Sequence, residues 1–191
     1  VMREADMATH RAKQHGGNQV TFYEQGLQSE VEQRLWLEHD LLQAIGTPHL
    51  TLYIQPQFGH DGRVTGGELL ARWTHPTRGP VSPALFIPVA EETGLISLLG
   101  SWSLQFACDA LATLREEDET YPLSLNVSPR QLMEPQFVET VRDTLESKNI
   151  PGNRLIFEVT EGVLIQDIQA VARRMQALAL LGIRFSIDDF G

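Results

Sequence analysis

Leu155-Ile156-Phe157-Glu158-Val159-Thr160 is the stretch that decides the fold, because it places a carboxylate inside a short run of strand-forming residues. Side chains of a β-strand alternate between two faces, so Ile156, Glu158 and Thr160 are predicted to share one face and their apolar neighbours the other. Burial of a carboxylate in such a strand is costly unless the group is paired or binds a metal ion. The stretch therefore predicts a sheet that carries a polar site.

Three other hydrophobic runs carry an oxygen-bearing side chain in the same way. Glu68 lies in Gly-Gly-Glu-Leu-Leu, Asn126 in Leu-Asn-Val-Ser and Asp188 in Ile-Asp-Asp-Phe-Gly. From Asn126 to Glu158 and from Glu158 to Asp188 the spacings are 32 and 30 residues. Because one strand and one helix together need about this length, the pattern indicates repeated βα units with polar groups at the strand ends, which is typical of a TIM-type barrel active site.

Apolar periodicity outlines the remaining elements of an α/β fold. Helices are predicted over 3–15, 27–45, 83–92, 95–116, 135–148 and 167–181. Strands are predicted over 50–56, 63–73, 122–127, 154–160 and 183–188, with a short extended run over 20–23. Five strands are too few for a barrel that closes with eight, so further sequence is expected beyond both ends.

Oxygen ligands of this kind favour Mg²⁺ or Mn²⁺. Several carboxylates in one site would repel one another, and a divalent cation is the simplest compensation. Asp189, next to Asp188, could turn toward a second cation, and two metal ions that clamp a phosphate and a water would suit phosphodiester hydrolysis. Each carboxylate taken alone is equally explained by a structural ion pair or hydrogen bond.

Arg72 follows Glu68 by four positions, so strand alternation predicts that both side chains lie on one face. There Arg72 would contact a bound anion or, alternatively, pair with one of the carboxylates.

Four other side chains are better explained by structure than by function. Trp73 and Trp102 could stack on a nucleobase, but aromatics in such apolar surroundings are more often core residues. His75, which precedes Pro76, is predicted to lie in a loop. Cys108 is the single cysteine of the chain, and its apolar helical context predicts a buried structural thiol.

The formal charge of −10 argues against a protein that binds the phosphate backbone of DNA or RNA. No apolar stretch is expected to reach the roughly 20 residues of a bilayer-spanning helix. The first residues do not have the pattern of a secretory signal, so a cytoplasmic location is expected, although a parent protein could carry a membrane anchor upstream.

The segment from about 47 to 191 resembles the N-terminal part of an EAL domain, the bacterial cyclic-di-GMP phosphodiesterase. The resemblance rests on motifs in the family's order, which are Gln55-Pro56, Gly67-Glu68-Leu69-Leu70-Ala71-Arg72-Trp73, Pro83-Ala84-Leu85-Phe86-Ile87-Pro88-Val89-Ala90-Glu91, Asn126-Val127-Ser128, Glu158-Val159-Thr160-Glu161 and Asp188-Asp189-Phe190-Gly191. It implies a TIM-type barrel, of which about five of eight strands are present.

The resemblance also implies roles for individual residues. One metal ion would be held by Glu68, Asn126, Glu158 and Asp188. Asp189 would serve a second ion, Gln55 and Arg72 would contact cyclic di-GMP, and Glu161 would brace a loop near the site. The implied reaction is attack by a metal-activated water on one phosphodiester bond, which opens the ring to linear pGpG.

Two departures from the family pattern qualify these expectations. Leu69 stands where the signature has alanine, at a position that is not a ligand. The family's later strands supply a lysine near the water, a further aspartate and a supporting glutamate, and these 191 residues do not include them. The 191-residue chain alone is therefore expected to be incompetent as a hydrolase.

Residues 1–26 resemble the closing helix and strand of a GGDEF domain, on the motifs Ala5-Asp6-Met7-Ala8, Ala12-Lys13 and Gly16-Gly17-Asn18. This division makes 27–46 a connector helix and 47–191 the EAL portion. It implies a parent protein with an upstream GGDEF domain and a sensor domain.

Two alternatives to the enzyme remain open. The EAL portion could be a receptor that binds cyclic di-GMP without cleaving it and signals through the connector helix. The chain could also be a dimerisation element, because its open sheet edges and amphipathic helix would suit a homodimer.

Overall fold

The computed structural model describes residues 25–114, 121–160 and 168–188. Its sheet contains the strands β1 Leu50–Phe58, β2 Val64–His75, β3 Gly79–Val81, β4 Leu123–Asn126, β5 Leu155–Thr160 and β6 Arg184–Asp188. The strand order is β1-β2-β4-β5-β6, and β3 pairs with β2. From β2 to β6 this path is parallel, whereas β1 and β3 are antiparallel to β2.

Helices connect and cover the strands. They are α1 Gln25–Ala44, α2 Pro83–Thr93, α3 Leu95–Leu114, α4 Pro129–Met133, α5 Phe137–Lys148 and α6 Ile168–Leu180, with a 3-10 turn at Gly152–Arg154. Gly94 ends α2 in the left-handed region with φ 84°, a conformation that glycine adopts without steric cost. The α/β architecture of a partial TIM-type barrel is thereby confirmed.

Strand alternation separates the two faces of the sheet as predicted. In β5, Leu155, Phe157 and Val159 are buried against the helices, while Ile156 and Glu158 on the other face are only partly buried. The main core combines Leu155, Phe157 and Val159 with Leu123 and Leu125 of β4 and with apolar side chains of α3, α5 and α6. One face of the sheet therefore serves stability, and the other is left for polar groups.

The strand count predicted from sequence is wrong by one, because β3 was not expected. β3 contains only Gly79, Pro80 and Val81 and pairs with the far end of β2, where Trp73 faces Val81. Three residues with a central proline show no alternation that a sequence pattern could detect. The short helix α4 was missed for the same reason of length.

Helix α1 packs on the far end of β2 and forms a second core there. Leu37, Leu41 and Ala44 of α1 are buried with Trp73 of β2 and Phe86 of α2. The core position predicted for Trp73 is confirmed, since it is 2% exposed. The predicted role of this helix as a connector between domains stays a prediction. The predicted GGDEF remnant over 1–26 also stays a prediction, because residues 1–24, with the helix predicted over 3–15 and the extended run over 20–23, lie outside the described residues.

The loop position predicted for His75 is wrong. His75 is the last residue of β2 and is buried. Its Nε2 lies 3.0 Å from Oδ2 of Asp40 in α1, and its Nδ1 accepts hydrogen bonds from the backbone N–H groups of Thr77 and Arg78. Because these partners come from another element and from the turn to β3, the burial of His75 is set by tertiary structure.

Helix α3 meets by length and composition the requirement for a membrane span, which the sequence analysis did not expect. Its mean hydropathy over 18 residues is 1.3. In the fold, α3 is a core helix, since Leu99, Leu104, Cys108 and Leu111 are buried in the two cores. Hydropathy at this level follows from packing against a sheet on one side and helices on the other. The cytoplasmic location stays a prediction.

Candidate functional site

Three of the predicted ligands meet at the carboxyl edge of the parallel strands. Asn126 ends β4 and stands in register with Glu158 of the adjacent β5. Asn126 Nδ2 donates a hydrogen bond to Oε1 of Glu68 at 3.1 Å. Glu68 and Glu158 are partly buried, and Asn126 is exposed. The fold thus brings oxygen donors from three neighbouring strands near one another, and their role as metal ligands stays a prediction.

The predicted ligands lie at different levels along neighbouring strands. Glu68 is level with Ser124, two positions before Asn126. Asp188 is level with Thr160, two positions after Glu158. Such a stagger is expected in a sheet that curls toward a barrel, because neighbouring strands are displaced along the barrel axis. The backbone of Asp188 therefore lies two positions beyond the level of Glu158 on the adjacent strand.

Some predicted residues lie outside the described part of the chain. Glu161 and Asp189 are outside it, as is the side chain of Asp188. Within 25–114, 121–160 and 168–188, no three Asp, Glu, His or Cys side chains group closely enough to hold a metal ion. The described donors of the site are two carboxylates, Glu68 and Glu158, and one amide, Asn126. Two carboxylates alone do not make such a group of three. All three present the hard oxygen donors that suit Mg²⁺ or Mn²⁺.

Arg72 lies on the same face of β2 as Glu68, as the alternation predicted. Its guanidinium stands over the ring of Tyr53 with 5.9 Å between the guanidinium carbon and the ring centroid. Its Nη1 donates to the carbonyl oxygen of Ala71 at 2.9 Å. Among the salt bridges of the described residues none involves Arg72, so the alternative of a pair with a neighbouring carboxylate is not realised there.

Strand β1 adds two side chains to this face. Gln55 is paired with Glu68, and Tyr53 with Leu70, so Gln55 and Tyr53 face the same side as Glu68 and Arg72. Both are exposed, Tyr53 by 61%. Tyr53 was missed from sequence, although its position two residues before Gln55 was the signal that could have found it.

A cavity of about 310 Å³ adjoins the site. Its wall includes Arg72, Asn126 and Glu158, and it continues between β2, β4 and the helices α2, α3 and α4. Most of that wall is apolar, from side chains such as Leu70, Ile87 and Leu99. A cavity that combines an apolar wall with a cation and oxygen donors at one side is typical of a site for an aromatic ligand that carries an anionic group.

The backbone after Asn126 is held by a capping box at the start of α4. Ser128 Oγ accepts from the N–H of Gln131 at 3.2 Å, and the Gln131 side-chain oxygen accepts from the N–H of Ser128 at 3.2 Å. The N–H of Val127 donates to the carbonyl oxygen of Glu158 at 2.9 Å. Ser-x-x-Gln is a sequence signal for such a box, and it was overlooked in the sequence analysis.

The EAL domain family model matches residues 38–191 of the chain, beginning inside α1. Among curated proteins, the chain is 39% identical over 193 residues to an uncharacterised signalling protein of Caulobacter vibrioides. It is 35% identical to the bifunctional diguanylate cyclase/cyclic di-GMP phosphodiesterase MucR of Pseudomonas aeruginosa, and 35% identical to the oxygen sensor protein DosP of Escherichia coli. Each comparison covers the whole chain but only 23%, 28% and 24% of these relatives.

Solved structures agree with this relationship. The chain is similar to a structure of the PaMucR phosphodiesterase in complex with c-di-GMP, with a TM-score of 0.76, 36% identity and coverage of 81% of this chain and 64% of that one. It is also similar to the EAL enzyme Bd1971 with cAMP and cyclic di-GMP bound, with a TM-score of 0.79, 28% identity and coverage of 100% and 50%.

Proposed function

The chain belongs to the EAL domain family, and on that premise we propose that it forms part of the active site of a metal-dependent phosphodiesterase that hydrolyses cyclic di-GMP to linear pGpG. The observation that carries the proposal is the placement of Asn126 and Glu158 side by side near the carboxyl edge of β4 and β5, with the hydrogen bond from Asn126 to Glu68 of β2. In barrel enzymes this edge carries the chemistry.

The donor set fits a hard divalent cation. Glu68, Asn126 and Glu158, with Asp188 from the next strand, would hold Mg²⁺ or Mn²⁺, and Asp189 would serve a second ion. When bound, such ions supply positive charge to the phosphate and lower the pKa of a water molecule. The hydrogen bond from Asn126 brings one carboxylate, Glu68, toward the amide, and Glu158 stands in register with Asn126 on the adjacent strand.

The remaining described residues would bind and orient the dinucleotide. Arg72 presents a guanidinium to an anionic phosphate, and Tyr53 keeps that guanidinium over its ring. The apolar cavity beside Arg72 would receive a guanine base and exclude water from it. Gln55 reaches the same face from β1 and would hydrogen-bond to the ligand. Glu161 would brace a loop near the site.

In the reaction, the water oxygen forms a bond to one phosphorus as the bond from that phosphorus to a ribose oxygen breaks. The water gives up one proton, and the departing ribose oxygen takes one up to become a hydroxyl group. The ring opens, and the product keeps one phosphodiester linkage and gains a terminal phosphate. The charge on Arg72 would offset the negative charge that grows on the phosphate oxygens in the transition state.

The test is hydrolysis of cyclic di-GMP by the full-length protein, followed by chromatography of the products with Mg²⁺, with Mn²⁺ and with a chelator. We expect pGpG with either metal and none with the chelator. Tight binding that persists in chelator, without turnover under any metal condition, would overturn the enzymatic proposal and establish the receptor alternative.

A further inference from the structure

Gln131 is a buried polar residue that touches both the start of α4 and the middle of α3. It is 4% exposed. Its side-chain oxygen accepts from the N–H of Ser128, and its own N–H donates to Ser128 Oγ. On its other side the amide lies against Gly100 of α3, where a Cβ atom would overlap with it.

Because Gly100 has no side chain, it leaves room for the amide of Gln131. The atoms that an added Cβ would overlap belong to the far end of the Gln131 side chain. An alanine at 100 could consequently be accepted by the helix if Gln131 moved away. That movement would remove the acceptor from the N–H of Ser128.

The N–H of Ser128 is only two residues from Asn126. Between them, the N–H of Val127 is bound to the carbonyl oxygen of Glu158. Where the chain leaves β4, residues 126–128 are thus held by two hydrogen bonds, one to the neighbouring strand β5 and one to the side-chain oxygen of Gln131. The Asn126 side chain, which donates to Glu68, is carried by the backbone that these two hydrogen bonds hold.

Resting on the proposed function, we propose that Gln131, seated on Gly100, is the positioning residue that holds Asn126 at the metal-binding edge. Gln131 has no direct contact with Glu68 or Glu158 among the hydrogen bonds of the described residues. It acts through the backbone of the intervening segment. Loss of such an indirect support typically weakens metal binding without unfolding the protein.

The experiment compares four forms of the full-length protein with the unaltered one. They are Gly100→Ala, Gln131→Ala, the double variant and Ser101→Ala. Ser101 is an exposed neighbour of Gly100 on α3, so Ser101→Ala controls for the greater helix propensity of alanine. The first measurement is hydrogen exchange by mass spectrometry in peptides that cover 126–132.

We expect exchange in these peptides to become about five to ten times faster in Gly100→Ala and in Gln131→Ala, as for the loss of a helix cap. Adding Gly100→Ala to Gln131→Ala should change nothing further, because the overlapping side chain is already gone. Ser101→Ala should match the unaltered protein. Unchanged exchange in both single variants would overturn the positioning role.

The second measurement is the Mg²⁺ concentration that gives half-maximal hydrolysis, together with KM for cyclic di-GMP at saturating metal. We expect the required Mg²⁺ concentration to rise by about tenfold in both single variants, with most of kcat regained at saturating Mg²⁺. KM is expected to change as well, because Gly100 and Gln131 line the cavity beside Arg72. An unchanged metal requirement would also overturn the proposal. If the unaltered protein does not hydrolyse cyclic di-GMP, the proposed function fails, and the exchange data still decide whether Gln131 holds residues 126–128.

Discussion

Asp40 and His75, which lie 35 positions apart, are joined at 3.0 Å between helix α1 and the end of strand β2. Two backbone N–H groups, from Thr77 and Arg78, occupy Nδ1 of the imidazole as an acceptor, so the proton is on Nε2 and Asp40 accepts it. Strand β2 also carries Glu68 and Arg72. The helix that precedes the barrel is therefore bound directly to a strand of the site.

Asp40→Ala should loosen α1 from the barrel. It would leave the N–H of a buried imidazole without an acceptor, which costs about 1 to 3 kcal/mol. We expect amide exchange in α1 to accelerate by about tenfold, since about 1.4 kcal/mol corresponds to that factor. Asp40→Asn should restore slow exchange because it keeps an acceptor oxygen. Glu38→Ala, an exposed change on the same helix, is the control, and equal exchange in Asp40→Ala and Glu38→Ala would refute the role of the pair.

Asn126→Ala should abolish most of the proposed phosphodiesterase activity while leaving the fold intact. The change removes an oxygen donor and the hydrogen bond that gathers Glu68. We expect kcat/KM to fall by about 100-fold or more, and the melting temperature to shift little because Asn126 is exposed. Steady-state hydrolysis and thermal unfolding measure the two effects. Activity above half of the original would contradict the assignment of Asn126 to the metal site.

Tyr53→Leu should weaken nucleotide binding through Arg72. An exposed contact between a cation and an aromatic ring contributes about 0.5 to 1 kcal/mol, so KM should rise by about two- to fivefold, whereas Tyr53→Phe should be nearly neutral. Gln57→Ala, an exposed change farther along β1, controls for disturbance of the strand.

In an Arg72→Ala background, Tyr53→Leu should have no further effect on KM. An additional increase would show that Tyr53 contacts the nucleotide independently of Arg72. The comparison needs only the steady-state kinetics of the unaltered protein and three variants, which are Tyr53→Leu, Arg72→Ala and the double variant.

Cys108 should resist alkylation and make stability sensitive to alkaline pH. Burial raises its pKa from 9.0 to about 11, Asp109 adds to the rise, and Lys148 opposes it. The thiol pKa is higher in the folded protein than in the unfolded chain. The contribution of Cys108 to stability is therefore full below about pH 9 and is lost as the pH rises toward about 11. Melting temperatures between pH 8 and 11 should fall less steeply in Cys108→Ala, after its own baseline is subtracted. Equal slopes would mean that the thiol is not the group responsible.

The faces of the long strands were predictable because period-two alternation is a local property. In β5, the alternation of Glu158 with Leu155, Phe157 and Val159 predicted both the strand and its polar face. In β2, the spacing of Glu68 and Arg72 predicted a second polar face. The register between strands was not predictable in this way. The register places Asn126 beside Glu158, and it depends on pairing between residues that are 32 positions apart.

The errors in the sequence analysis came from residues whose surroundings are distant in the chain. His75 precedes a proline, which favours a loop, yet Asp40 and the β3 turn bury it. Tyr53 gained its role only when β1 was paired with β2 and the ring came under Arg72. Gln131 needed Gly100 of another helix. Neither propensity nor periodicity contains such information.

The antiparallel pairing of β1 with β2 has a consequence for the order in which the site assembles. The two strands are separated only by residues 59–63, where the N–H of Gly59 donates to the carbonyl oxygen of Arg63 at 2.8 Å, whereas β4, β5 and β6 can pair only after intervening helices have compacted. Closing a short loop costs less chain entropy than closing a long one, so we expect the hairpin to form early. During synthesis, the strand pair that contains Gln55, Tyr53 and Arg72 would then form before the strands that carry Asn126 and Glu158.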